Sequence, residues 1–418
     1  MSDLHFLSPL GFRAGGVHAG IKQKSSNDVG VLVADAPATA AAVFTSNVVC
    51  AAPIVIGRKH VASGTLRALV VNSGNANACT GKQGQRDALS MCRLTGQLVG
   101  CRTTEVLPGS TGIIGHMLPM QKIHAGIRAA AADLGNDASH ADAFNDAILT
   151  TDTRRKFAAA RFRLGRKTAT LTGICKGAGM IGPRLVGPTK TGLRVGKAPA
   201  KRGAQGTMLA YMLTDAEVSR QQLQGILEVA CDLSFNNLTI DNHTSTNDTA
   251  VLLASGVSGA KVSDRKSLLT FAAAMEELTT ALARQIAADG EGATKLVTVR
   301  VRGCASHDDA RRIARTIADS PLVKCALHGN DPNWGRIVSA AGYSGARFNP
   351  DRALLRLQGK AVFSSGVPLR FDASGLSAAM NAPEVRIELD CRLGVGEATV
   401  WTCDFSRDYV TINADYHT

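Results

Sequence analysis

Residues 175–183 read CKGAGMIGP and residues 207–216 read TMLAYMLTDA; between them lies RLVGPTKTGLRVGKAPAKRGAQG, residues 184–206. The intervening stretch has turn formers, six basic residues and no sustained hydrophobic period, so it reads as a solvent-exposed loop. Beyond it the chain changes character abruptly: an apolar run from Thr207 predicts a buried strand, and the helix after that strand takes its cap from the region of Thr214, Asp215 and Ser219. A Gly206-Thr207 junction between a loop and a buried strand has the chemistry for self-cleavage. The threonine hydroxyl attacks the Gly206 carbonyl, the peptide becomes an ester, and water separates the two chains. Gly206, without a Cβ, can hold the conformation that attack requires. The freed α-amine, with a pKa of roughly 7.7 to 8.0, then serves as base for its own hydroxyl.

Outward from this junction the chain alternates apolar β-rich runs (68–72, 168–174, 296–301) with helical patterns (84–99, 121–134, 266–288, 308–318). That alternation predicts a mixed α/β, layered fold. The last forty or so residues read as strands and turns, at 385–391, 398–405 and 409–414. The 418 residues are 45% hydrophobic, enough for a sizeable core. Net charge is +13, but the basic residues are scattered apart from the 184–202 stretch and aromatics are 4%, which argues against nucleic-acid binding. The ten cysteines form no CxxC pair and no metal-ligand spacing with histidine, so no metal is expected and they read as buried apolar residues of a reducing compartment. With no apolar run of about 18 residues and no targeting pattern at the start, the expectation is a cytoplasmic protein without a membrane span.

Together the KGAGM stretch and TMLAYMLTDA resemble the self-cleaving region of the ornithine acetyltransferase family, the bifunctional glutamate N-acetyltransferases of arginine biosynthesis. The resemblance runs through LGFRAGGVHAGIK (10–22), NSGNANACTG (72–81), LPGSTGIIG (107–115) and LTTDT (149–153). It continues in TSTNDT (244–249), DGEGATK (289–295), GNDPNWGRI (329–337) and YVTINADYHT (409–418). It implies an N-terminal-nucleophile-like fold made of two interleaved fragments, an α chain 1–206 and a β chain 207–418, assembled as an α2β2 heterotetramer. It also implies an acyltransferase that moves acetyl from N2-acetylornithine to Thr207 and then to glutamate, without a cofactor; some members accept acetyl-CoA as donor.

By the same resemblance Thr111 and Gly112 form the oxyanion hole, and Thr150, Lys176, Thr207, Glu291, Asn413 and Thr418 contact substrate. The assignments make chemical sense: a hydroxyl and an unobstructed N–H can meet a developing oxyanion, Lys176 suits a carboxylate and Glu291 the ornithine amine. Asn333, Trp334 and Arg336 read as turn and core anchors, and the TSTNDT run as support for the nucleophile. Three features depart from the family. The gap from Pro183 to the threonine is far longer than usual, Gly206 replaces an alanine, and Asn242-His243 stand where glycine and aspartate are commoner. Two other readings share some of these features. A self-cleaving aminopeptidase would release acetate instead of transferring acetyl, and an unprocessed basic binding protein would remain one chain.

Overall fold

The computed structural model describes residues 4–23, 25–188 and 206–415. These fall into two compact units: one runs to Asn236 and adds Thr244–Leu282, the other comprises Asn237–His243 and the residues from Ala283 onward.

Among the described residues the first unit holds β1 (Phe12–Val17), β2 (Val29–Thr45), β3 (Thr65–Asn75), β4 (Val106–Ile113), β5 (Lys156–Leu164), β6 (Lys167–Lys176), β7 (Leu185–Val186), β8 (Leu209–Thr214) and β9 (Thr249–Ala254). Its helices are α1 (Ala52–Val61), α2 (Gly81–Val99), α3 (Met120–Ala132), α4 (Ala138–Ile148), α5 (Arg220–Leu233) and α6 (Arg265–Ala288) as far as Leu282. The strands form one sheet in the order β4-β3-β2-β9-β8-β6-β5, with β1 and β7 also paired to β2. The β3–β4 and β8–β9 pairs are parallel. Helical cover on both faces is dictated by the residues: alternate side chains of β2 enter different clusters. Val29, Val31 and Val33 meet Ile123 and Ile127 of α3, whereas Leu32 lies in the core of Phe6, Phe12, Phe144 and Tyr211. Every residue of β8 and β9 is buried, as expected of strands covered on both sides.

The second unit contains β10 (Leu296–Cys304), α7 (His307–Asp319), α8 (Pro321–His328), α9 (Trp334–Gly342), β11 (Leu354–Leu357), β12 (Lys360–Ser364), β13 (Val367–Pro368), α10 (Ala373–Ala379), β14 (Glu384–Asp390), β15 (Gly396–Cys403) and α11 (Arg407–Asp415). Its sheet runs β13-β12-β11-β14-β10-β15. Val297, Val299 and Val301 alternate into a core completed by Ala310, Ile313, Ala314 and Ile317 of α7, a helical stripe at i, i+3, i+4 and i+7.

The layered α/β expectation holds, as do the helices and strands expected up to residue 405. Ser219 caps α5 through a capping box with Gln222. Asn333 caps α9, and Trp334 stacks on Phe363 with ring centroids 5.5 Å apart, as expected of turn and core anchors. Three expectations are corrected. Residues 409–414 form helix α11, not a strand. Their β-branched run Val410-Thr411-Ile412 is outweighed by Ser406, whose hydroxyl accepts the Asp408 N–H, and by stacking of Phe405, just before the helix, on Tyr409 at 4.6 Å. Leu185–Val186 of the basic stretch pairs with Phe44 and Thr45 of β2, whereas residues 189–205 lie outside the described residues. Of the cysteines, Cys79 and Cys325 are exposed, so burial does not hold for all ten. Among the described residues no helix is long and apolar enough to cross a membrane.

Candidate active site

Gly206 and Thr207 stand directly before β8. A Cβ on Gly206 would lie 1.5 Å from the Gly179 carbonyl oxygen, so the GAGM turn leaves room for glycine alone at this position. Thr207 is 2% exposed. Its hydroxyl lies 2.9 Å from the Ser245 hydroxyl, and the next N–H, of Met208, donates to Asp248 at 2.9 Å. Asp248 also accepts the Ser245 N–H at 3.2 Å. The TSTNDT run therefore holds the threonine and the residue after it, the supporting role expected for it.

Thr111 and Gly112 end β4 beside an irregularity in its parallel pairing with β3, where Asn75 opposes both Thr111 and Ile113. Such bulges take backbone groups out of the ladder and re-aim them. Gly112 has φ +130° and a Cβ there would lie 2.3 Å from the backbone of Gly74, so only glycine fits. The segment is tied to the nucleophile loop by Asn247, whose amide donates to the carbonyls of Ala76 at 2.8 Å and Ser110 at 2.9 Å.

Lys176, the last residue of β6, is fully buried and donates to the hydroxyls of Thr150 at 2.7 Å and Thr111 at 3.3 Å. An ammonium can only donate, so Thr111 accepts from it and keeps its own O–H for another acceptor. Behind this cluster sits Asp152. It accepts Lys156 Nζ at 2.6 Å, the N–H of Gly177 at 2.6 Å and that of Thr150 at 3.2 Å, and lies 3.8 Å from Lys176. Burial disfavours its ionised form, but Lys156 and Lys176 together with the hydrogen bonds from Lys156 and Gly177 prevail and hold its carboxyl well below the usual range. Neither Asp152 nor Lys156 was singled out from sequence. The signal lay in the LTTDT motif, where Asp152 stands two residues after Thr150.

In the second unit, Glu291 is buried and accepts the side-chain amide of Asn413 at 3.0 Å; that amide also caps the Tyr409 carbonyl at 2.9 Å. The DGEGATK loop is anchored by Asp404, which takes the N–H and hydroxyl of Thr294 and the N–H of Lys295. The structure thus joins Thr111, Thr150 and Lys176 in one cluster and Glu291 with Asn413 in another; Thr418 lies outside the described residues. His243 is exposed, and Asn242 has φ +57°, a conformation asparagine tolerates.

Fold and site define an α/β protein whose main sheet buries lysine, hydroxyl and carboxylate groups around the start of an internal strand. The chain belongs to the ArgJ family, whose profile matches residues 13–418. It is 43% identical over 415 residues to the arginine biosynthesis bifunctional protein ArgJ of Symbiobacterium thermophilum, covering 98% of each chain. It is 44% identical over 411 residues to the ArgJ of Geobacter sulfurreducens, covering 98% of this chain and 99% of that one. Ornithine acetyltransferase from Mycobacterium tuberculosis, solved in complex with ornithine, is 35% identical over 44% of this chain and 98% of that chain, with a TM-score of 0.40.

Proposed function

We propose that this chain cuts itself between Gly206 and Thr207 and then carries acetyl from N2-acetylornithine to glutamate as an ester on Thr207, serving arginine biosynthesis in the cytoplasm. The observation that carries the reading is the setting of the scissile bond: a glycine wedged against the Gly179 carbonyl, followed by a buried threonine whose hydroxyl meets Ser245. Cleavage frees the Thr207 amine, which takes the hydroxyl proton as oxygen attacks the acetyl carbonyl. Charge developing on that carbonyl oxygen is met by the Thr111 hydroxyl, whose proton is left to donate because its oxygen accepts from Lys176, and by the Gly112 N–H. Ornithine leaves with the proton, and glutamate attacks the ester in the second half-reaction.

Lys176 and Thr150 hold substrate carboxylate; Glu291 and Asn413 bind the ammonium group, and Thr418 completes the substrate contacts. Acetyl-CoA is a second donor to assay. The α chain 1–206 and β chain 207–418 associate as an α2β2 heterotetramer, with a native mass to match.

N-terminal sequencing of the purified protein tests the first step, with TMLAY as the second terminus. Incubation with N-acetylornithine and glutamate tests the transfer. N-acetylglutamate is the expected product, whereas acetate alone would make the protein a hydrolase and an uncut, inert chain would remove the mechanism.

A further inference from the structure

Lys22 belongs to a motif, LGFRAGGVHAGIK, to which neither self-cleavage nor acetyl transfer has yet given a role. Its loop folds around the buried carboxylate of Asp28, which accepts the N–H groups of Ala19 at 2.6 Å, Ile21 at 2.7 Å and Lys22 at 3.1 Å. This fixes the backbone and aims one lysine inward. A Cβ on Gly74 would sit 3.0 Å from Lys22 Cγ, so the lysine stem rests on the residue that pairs with Gly112 in the β3–β4 register. The ammonium donates to the carbonyls of Leu149 at 3.1 Å and Asp146 at 3.5 Å, the end of α4 and the residue just before Thr150. Helix C-termini carry partial negative charge and unsatisfied carbonyls, and a cation there is favourable.

We propose that Lys22 is a positioning residue for acetyl transfer: by gripping the end of α4 while lying against Gly74, it sets Thr150, and through Thr150 Lys176, relative to the Thr111-Gly112 segment. The inference rests on the acetyl-transfer reading. The hydrogen bonds of Lys22 among the described residues go to Asp28, Asp146 and Leu149, so its effect on transfer is read on chain that is already cut.

The grip depends on protonation. Burial of Lys22 lowers its pKa to about 8, against the attraction of Asp28 and Asp146; Lys176 pushes it further down and Asp152 back up. The charged form holds both carbonyls most strongly, so positioning is fullest well below pH 8 and fades as pH rises through about 8. The Thr207 amine has the opposite sign, since it acts as base only when neutral and favours activity as pH rises through roughly 7.7 to 8.0. A descending alkaline limb therefore does not come from the Thr207 amine, and its movement in Lys22→Arg assigns it to Lys22.

The test uses the processed enzyme, with cleavage confirmed on a denaturing gel. N-acetylglutamate formation from N-acetylornithine and glutamate is followed from pH 6 to 10 for wild type, Lys22→Arg and Lys22→Met. The wild-type profile is expected to fall above about pH 8. Lys22→Arg, charged throughout, restores most of the neutral-pH rate and moves the descending limb up by more than a unit. Lys22→Met keeps the stem but lowers kcat by about ten- to a hundredfold at pH 7, the order of loss that a misplacement of about 1 Å produces. Wild-type kcat in Lys22→Met, or an unmoved alkaline limb in Lys22→Arg, overturns the inference. If Lys22→Met does not fold, the limb in Lys22→Arg decides alone. A wild type that makes no N-acetylglutamate sinks the acetyl-transfer reading itself, a result distinct from either of these.

Discussion

Thr207 meets Ser245 through one neutral hydrogen bond at 2.9 Å, and a bond of that kind is worth a net 0.5–1.5 kcal/mol or so. Ser245→Ala should therefore slow turnover between about twofold and tenfold while leaving the chain cut, as read by single-turnover acetylation of Thr207. Thr207→Ala removes the hydroxyl altogether and is expected to remain one uncut, inactive chain on a denaturing gel. Thr111→Val keeps the shape but removes one oxyanion donor, so kcat should fall by about a hundred- to a thousandfold, with some loss of stability because the buried Lys176 ammonium also loses an acceptor. At Gly206 the limit is steric. Gly206→Ala would force its methyl into the Gly179 carbonyl, and the fraction cut should drop even though alanine is chemically able to be cleaved.

At the scale of elements, Asp152 joins the loop after α4 to the ends of β5 and β6 by accepting from Thr150, Lys156 and Gly177. Asp152→Asn leaves two buried ammonium groups without their carboxylate, and breaking a buried pair in this way costs about 3–5 kcal/mol. Urea unfolding should show the loss. Because the folded pKa of Asp152 is depressed below its unfolded value of about 3.9, its contribution is complete above that pH and is lost as pH falls through the folded value. Wild-type stability should thus decline on acidification below about pH 4 more steeply than that of the asparagine variant. Equal slopes in the two proteins would show that the pairing is not what acid disrupts.

The whole-molecule consequence lies in strand order. Strands β8 and β9 come after Thr207 in the chain, yet they lie between β2 and β6, which precede it. Ladders on both sides, Thr39–Phe44 with Thr249–Ala254 and Leu171–Lys176 with Leu209–Thr214, would join fragments 1–206 and 207–418 after cleavage. The fragments should copurify through gel filtration and separate only when denaturant unfolds the sheet. Recovery of either fragment alone as a folded species in buffer would contradict this.

The sequence by itself determined what short windows encode: the amphipathic period of α7, the apolar strand after Thr207, the Ser219 and Asn333 caps, and the ordered motifs that place the chain in its family. Residues 409–414 read as a strand because a β-branched run satisfies a strand pattern unless a cap and an aromatic stack favour a helix. Tertiary structure alone decided the partnerships. Lys176 reaches Thr111 across 65 positions and Thr207 reaches Ser245 across 38; Gly206 is forced to be glycine by a carbonyl in the preceding motif, and Lys22 finds the end of α4. Hydrophobic periodicity is local and survives in any window of the chain, whereas a buried charge or hydroxyl takes its meaning from whichever distant group the fold brings within hydrogen-bond reach.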